Sequence, residues 1–467
     1  MNRKNLYVLS LVALMIIASC DAGEQSPDGE DDTAFPNGKA DSPWSECEMS
    51  QVVAYVNNPE IGYQDLRDAG VHKLAAKNII AHRDGPDGTA GTQDDDLFDD
   101  IDEIDAVKYV GATAMDQLIT IIEHLCGVEV SAQVIFSPQL YNVSHLSRVA
   151  DLMGDAQKSL DIAMYSFSDS GVATAVEEAA GRGVSVRMVY ESARDERNDP
   201  EGTLSARMEA AGVDVRYINK IMHHKFVIID GPRDSVDDAF TAVLSTGSGN
   251  WSHSAGTKYD ENTVFIRGSG EIVLRFQKEF NLLWENSRDF EYSSDFEWLR
   301  SMEINDGMIN DDPYIGALFT SANFRTYESS YGPTFAVVSG LNTLSDGLVE
   351  IIEGAEQSIH LASGHMRSRP VAEALLAKAQ SNPEIDIKIY LDGQEYISEW
   401  YNGEQESDLE ECLAQAGDSV SKQQECMDKG FYFSYAVHKA GIPLRFKYSC
   451  YRWDYRYAVQ MHHKYMI

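Results

Sequence analysis

One short segment occurs twice in this chain, and any fold it adopts has to accommodate both copies. The first is His223-His224-Lys225-Phe226-Val227-Ile228-Ile229-Asp230, followed by Gly247-Ser248-Gly249-Asn250. The second is His462-His463-Lys464-Tyr465-Met466-Ile467. The surroundings repeat as well. Ala156-Gln157-Lys158-Ser159-Leu160 matches Ala355-Glu356-Gln357-Ser358-Ile359 at an offset of 199, and Gly212-Val213-Asp214-Val215-Arg216 matches Gly441-Ile442-Pro443-Leu444-Arg445 at 229. His223 matches His462 at 239. The growing offset locates two insertions in the second copy. One of about 30 residues follows Asp392 and contains Cys412 and Cys426; the other, of 10, precedes His462 and is aromatic, with Tyr448, Tyr451, Trp453, Tyr455 and Tyr457. Self-similarity on this scale predicts two related lobes built from one supersecondary series.

From residue 131 the series alternates strand and helix. Gln133–Ser137, Leu160–Tyr165 and Val184–Tyr190 are β-rich, and Leu146–Gly154 and Gly171–Gly181 read as helices. That alternation predicts a mixed, layered α/β domain. On a strand, alternate side chains share a face. His223, Lys225, Val227 and Ile229 therefore point one way, and His224, Phe226, Ile228 and Asp230 the other. His223 and Lys225 reach one substrate, whereas Asp230 faces away and is expected to fix the strand through an internal charge pair. Ser248 and Asn250 are also two apart, with glycines beside them, and Glu261 follows eleven residues later. Trp251 and the aromatic run at 448–457 either line a substrate channel or pack within the molecule.

The pattern His-x-Lys-x4-Asp, then Gly-Ser-x-Asn, then Glu resembles the phospholipase D superfamily of phosphodiesterases, over residues 131–467. The resemblance implies a duplicated α/β/α fold whose lobes, 131–305 and 306–467, pack face to face and each give one His-Lys pair to a single site. It implies catalytic roles for His223, Lys225, Asp230, His462, Lys464 and Glu261: His223 as nucleophile forming a phosphohistidine, His462 as general acid, Glu261 as the group that orients a histidine ring. Ser248, Asn250, Lys225 and Lys464 would hold the phosphate. Attack on an anionic phosphodiester needs a neutral nucleophile and positive charge around the phosphoryl oxygens. An imidazole with a pKa of about 6.5 suits either proton state near neutrality. No cofactor is expected for catalysis, and no active-site metal. The family pattern continues after its second lysine with Asp and another Gly-Ser-x-Asn, so the second lobe is expected to be incomplete at its C-terminal side.

Residues 44–127 read as a small all-α unit. Leu66–Val71 leads into Leu74–Ile80, and Ile104–Gly111 into Ala114–Ile119, each as helix, apolar-Gly turn, helix. The region resembles paired helix-hairpin-helix modules. Between the hairpins lies an acidic loop, Asp84, Asp87, Asp94, Asp95 and Asp96, whose carboxylates and glycines make it a candidate structural calcium site; a solvated acidic loop is the alternative. Asn2-Arg3-Lys4, an apolar run from Leu6 to Ile17, and Ile17-Ala18-Ser19-Cys20 resemble a lipoprotein signal (1–20) with Cys20 as the acylated residue, followed by an acidic tether (21–43). Export to a bacterial cell envelope follows as the expected location, and disulfides become permissible, with Cys47–Cys126 and Cys412–Cys426 as candidate pairs.

The formal net charge of −37 argues against a surface that tracks nucleic acid. It leaves room for a small basic pocket inside an acidic shell. The expected activity is phospholipase D-type hydrolysis of phospholipid head groups, with phospholipid and membrane as partners. The alternatives are a nuclease of the same superfamily, a phosphatidyl transferase of the cardiolipin synthase kind, and a non-catalytic calcium-binding lipoprotein scaffold.

Overall fold

A computed structural model describes residues 44, 46–122, 130–291, 301–309, 315–427, 429–447 and 459–467. The signal segment with Cys20, the tether, Cys126, the side chain of Cys47 and the aromatic run at 448–457 lie outside the described residues. The chain forms two compact units. One holds residues 130–304 and 311–467; the helical region that ends at Glu129 forms the other, together with 305–310.

In the larger unit the first lobe carries β1 (Ser131–Phe136), β2 (Ser159–Met164), β3 (Ser185–Tyr190), β4 (Asp214–Tyr217), β5 (Lys225–Ile229), β6 (Val243–Gly247), β7 (Asn262–Arg267) and β8 (Arg288–Asp289). They form one sheet in the order β1-β7-β6-β5-β2-β3-β4-β8. β9 (Phe324–Ser329) and β10 (Gly332–Val337) make a separate hairpin. The second lobe has β11 (Ser358–Ser363), β12 (Asp386–Asp392), β13 (Leu444–Lys447) and β14 (Lys464–Met466), in the order β13-β12-β11-β14. The mixed α/β architecture is the one its alternating pattern predicts.

The two sheets repeat one another residue by residue. Met164 pairs with Lys225 across antiparallel β2 and β5, and Ser363 with Lys464 across β11 and β14. Met188 pairs with Val215 across parallel β3 and β4, and Ile389 with Leu444 across β12 and β13. Met164 and Ser363 stand at the offset of 199 read from the sequence, Val215 and Leu444 at 229 and Lys225 and Lys464 at 239, while Met188 and Ile389 stand at 201. Each lysine is therefore delivered to the same place by the same pairing.

Both faces of the first sheet are covered, which is why its strands are apolar nearly throughout. Val227 and Ile229 join Leu160, Ile162, Val186 and Met188 in a core closed by the helices His145–Asp155 and Ser170–Gly181. Phe226, on the other face, packs edge-to-face on Phe276 and Phe280 of the helix Gly270–Glu285. The opposite face also buries a charge cluster. Asp161 on β2 receives both Arg187 (2.7 Å to each oxygen) and Arg233 (2.6 and 2.7 Å), with Gln277 donating at 2.7 Å. Burial alone would raise the Asp161 pKa; the two guanidiniums outweigh it and hold the carboxyl far below its usual range. A second core, around Ile359, Leu375, Ile387, Ile389 and Val437, supports the smaller sheet. The insertion after Asp392 forms helices Glu399–Ala416 and Val420–Met427, joined by the Cys412–Cys426 disulfide.

The smaller unit is helical: Glu46–Asn57, Tyr63–Asp68, Lys73–Arg83, Ile101–Ala106 and Ala112–Ile122. Gly70, at φ +97°, makes the first turn; in the second the positive φ falls on Tyr109 at +74° instead of on Gly111. In the acidic loop, Asp84 pairs with the buried Arg83 at 2.7 Å instead of pointing into a cation cage. Asp94 and Asp95 accept hydrogen bonds from the loop's own Asp87 and Gly91 amides. The five candidate ligands do not converge.

Candidate functional site

Strand pairing brings the two motifs together. β5 and β14 each begin at a lysine, with the histidine two residues earlier at the strand's mouth. The His223 and His462 rings face each other with centroids 6.5 Å apart and planes inclined at 68°. Behind each ring the lysine folds back on its own histidine: Lys225 Nζ donates to the His223 carbonyl at 2.9 Å, and Lys464 Nζ to the His462 carbonyl at 3.1 Å. The two half-sites share this geometry.

They differ in what holds the rings. His462 Nδ1 lies 2.8 Å from Oε2 of Glu261, a residue 1% exposed. A carboxylate only accepts, so Nδ1 carries the hydrogen and Nε2 is left for substrate. Glu261 stands just before β7 in the first lobe, so the His462 half-site is completed across the lobe boundary. The contact is fixed from both sides: His462 N donates to Asp260 O at 2.9 Å, Lys464 N to Asn262 Oδ1 at 3.1 Å, and Lys447 pairs with Asp260 at 2.6 Å.

His223 has no carboxylate among its described contacts. Its ring packs on Tyr165 at 4.2 Å, and Lys225 Nζ sits 3.2 Å from Nδ1. Burial first, then the charges of Lys225, Lys464 and His462, push its pKa down to about 3. This imidazole is neutral at any ordinary pH. Burial and the neighbouring Lys464 bring Lys225 down to about 7, partly offset by Glu261. Lys464 is lowered as well, mainly by burial. The site is thus a pocket whose positive charge is poised for an anion.

Several expected roles need correction. Among the described residues Asp230 makes no charge pair. Its carboxylate accepts from the Gln157, Lys158 and Ser159 amides at 2.6–3.2 Å, pinning the turn into β2, and its backbone is left-handed at φ +55°. Ser248 is buried and donates to Glu261 Oε2 at 2.7 Å, so it serves the carboxylate rather than a phosphate. The amide side chain beside this contact is Asn262, whose Oδ1 accepts from Ser248 Oγ and the Lys464 amide. Asn250 itself is half-buried, and its carbonyl accepts from His145 Nε2 at 3.1 Å. Trp251 lies in the core, edge-on to Phe167. His224 turns away from the pair and bonds Glu279 at 2.9 Å.

Gly247 explains how Ser248 reaches the carboxylate. At φ +156°, a side chain there would stand 2.1 Å from the Asn262 carbonyl, so the β6 end approaches β7 as closely as only glycine permits. The sequence pointed to neither Tyr165 nor Asn262. Tyr165 follows β2 by one residue, at the position equivalent to Gly364 in the second lobe, and β2–β5 pairing is the signal that could have found it.

Residues 149–284 match the family described as cardiolipin synthase, PLD-like domain. The mitochondrial cardiolipin hydrolase of Chlamydomonas reinhardtii is 31% identical over 142 residues, covering 30% of this chain and 57% of that protein. The enzyme of the same name from Xenopus tropicalis is 32% identical over 150 residues, covering 32% and 65%. The chain thus spans less than two thirds of the length of these relatives. The crystal structure of a phospholipase D family member, Nuc from Salmonella typhimurium, aligns at 28% identity over 34% of this chain and 98% of that one, with a TM-score of 0.29. The relatives are mitochondrial by name, which overturns the expected bacterial cell-envelope location. The lipid anchor at Cys20 finds no support in them. No described helix is long and apolar enough to cross a membrane.

Proposed function

We propose that the chain is a member of the phospholipase D superfamily and a phosphodiesterase that hydrolyses phospholipids through a covalent phosphohistidine. The facing of a neutral imidazole, His223, by one whose Nδ1 is held on a buried glutamate carries this reading. His223 attacks phosphorus. The P–O bond to the head-group oxygen breaks, and that oxygen takes a proton from His462 Nε2. Water then gives a proton to His462 and its oxygen attacks phosphorus; the P–N bond breaks and the His223 electron pair returns. Lys225 and Lys464 stabilise the charge that builds on the phosphoryl oxygens. No step requires a metal ion.

The relatives' names favour a phospholipid, cardiolipin included, over nucleic acid, as does the net charge of −37. The test is hydrolysis of vesicles containing cardiolipin or phosphatidylglycerol, with rapid acid-free quenching to capture labelled protein. Label on wild type that His223→Ala abolishes and His462→Ala leaves trapped supports the scheme. Turnover of single-stranded DNA with no lipid hydrolysis would replace the lipid reading with the nuclease one.

A further inference from the structure

A second imidazole held on a buried glutamate lies on the second-lobe side of the site. His365 Nδ1 is 2.8 Å from Glu395 Oε1, the same distance and the same ring atom as in the His462–Glu261 pair. Glu395 is wholly buried, and its carboxylate is fixed further by the Met366 amide at 3.1 Å and by Arg367 Nε and Nη2 at 3.0 and 2.8 Å. These donors outweigh burial and keep the carboxyl lowered in pKa. A buried ionised carboxylate with four hydrogen bonds is a built feature, not a surface coincidence.

Its place in the fold ties it to the reaction. β11 ends at Ser363, the register partner of Lys464, and Gly364 N donates to the His463 carbonyl at 3.0 Å. A Cβ on Gly364 would stand 3.0 Å from Met461 O and 3.7 Å from His462 Cα. His365 is the next residue, with Ser363 Oγ donating to its carbonyl at 2.7 Å. Asp392, three residues before Glu395, accepts the Met461 amide at 2.7 Å. Both members of the pair are thus anchored to the segment that delivers His462, at the end of the smaller sheet where that histidine stands.

The His365 side chain is 51% exposed, while the carboxylate takes its Nδ1 hydrogen. In the neutral ring the lone pair is then on Nε2, turned away from Glu395. A lone pair presented at a site's rim accepts a hydroxyl hydrogen. We propose that His365 is a specificity-determining residue that accepts a hydrogen bond from a free hydroxyl of the head group, selecting glycerol-type polyol phospholipids over those with a quaternary amine.

This inference rests on the phospholipid phosphodiesterase reading, and one comparison separates the two. The full chain is assayed on mixed micelles of phosphatidylglycerol or phosphatidylcholine, which share the scissile linkage and differ in the head-group hydroxyls. Wild type is expected to show a KM about tenfold lower for phosphatidylglycerol, the worth of one half-exposed hydrogen bond. His365→Phe, which keeps a flat ring and removes the acceptor, should bring that ratio to about one. His365→Gln restores an acceptor oxygen and should recover part of the preference, which mere disruption of the fold would not do. Equal preference in wild type and H365F, or none in wild type, overturns the hydroxyl subsite and leaves the phosphodiesterase standing. Hydrolysis of neither lipid by wild type overturns both.

Discussion

The depressed Lys225 ammonium gives the proposed reaction an unusual pH profile. At about 7, against 10.5 ordinarily, half its charge is gone from the free protein at neutrality. If the charged form is needed to receive the substrate phosphate, kcat/KM falls as pH rises through 7. It should drop about tenfold by pH 8 and about a hundredfold by pH 9, since kcat/KM reports groups of the free enzyme. His223, at about 3, sets the other limb: the nucleophile is lost only when pH falls through that value. Bound phosphate changes the picture. A unit charge about 4 Å away at an effective dielectric near 20 is worth about 4 kcal/mol, or about three pH units on Lys225. The fall in kcat should therefore move to about pH 10. Glu261 raises Lys225 and Lys464, so Glu261→Gln should shift the descending limb of kcat/KM to lower pH while also releasing the His462 ring. The assay is steady-state hydrolysis of a soluble short-chain phosphatidylglycerol from pH 4 to 10. A kcat/KM that stays flat between pH 7 and 9 in wild type would refute the assignment of charge to Lys225.

Asp161→Asn leaves Arg187 and Arg233 buried against a neutral partner, and urea unfolding should show a loss of about 3–5 kcal/mol. Asp230→Ala removes the acceptor for three amides and places alanine at φ +55°; stability should fall by about 1–3 kcal/mol while kcat per folded molecule changes little, a result that separates a turn-fixing residue from a catalytic one. Gly247→Ala drives a methyl into the Asn262 carbonyl, so both thermal midpoint and kcat should fall together. Each is checked by pairing a melt with the head-group release assay.

Much of the fold was legible because it is written in local periods and in a duplication. The alternation after residue 131 gave the layered α/β class, and the offsets 199, 229 and 239 reappear as strand register in both sheets. Period-two reasoning also put His223 and Lys225 on one face and Asp230 away from it. It could not say what Asp230 does, because the three amides it holds are some 70 residues upstream. Ser248 misled for a related reason: a hydroxyl beside glycines resembles a phosphate contact, and nothing local reveals that a carboxylate 13 residues on takes its hydrogen. In the acidic loop, carboxylate count did not report direction: Asp84 pairs with Arg83, and Asp94 and Asp95 accept from the loop's own amides.

The deepest illegible feature is the unequal treatment of two equal motifs. A duplication predicts like environments, yet one ring is held by a carboxylate and the other is wedged between Tyr165 and Lys225. The cause is the crossing of Glu261 from the first lobe to the second, 201 residues along the chain. That crossing divides the labour. A ring whose Nδ1 hydrogen is engaged presents Nε2 in a fixed direction, and can give a proton in one step and take one in the next. A ring desolvated beside two ammonium groups loses its proton and keeps its lone pair, which is what attack on phosphorus demands. In the proposed scheme identical residues therefore become nucleophile and acid through their neighbours alone, and the motif does not by itself assign the parts.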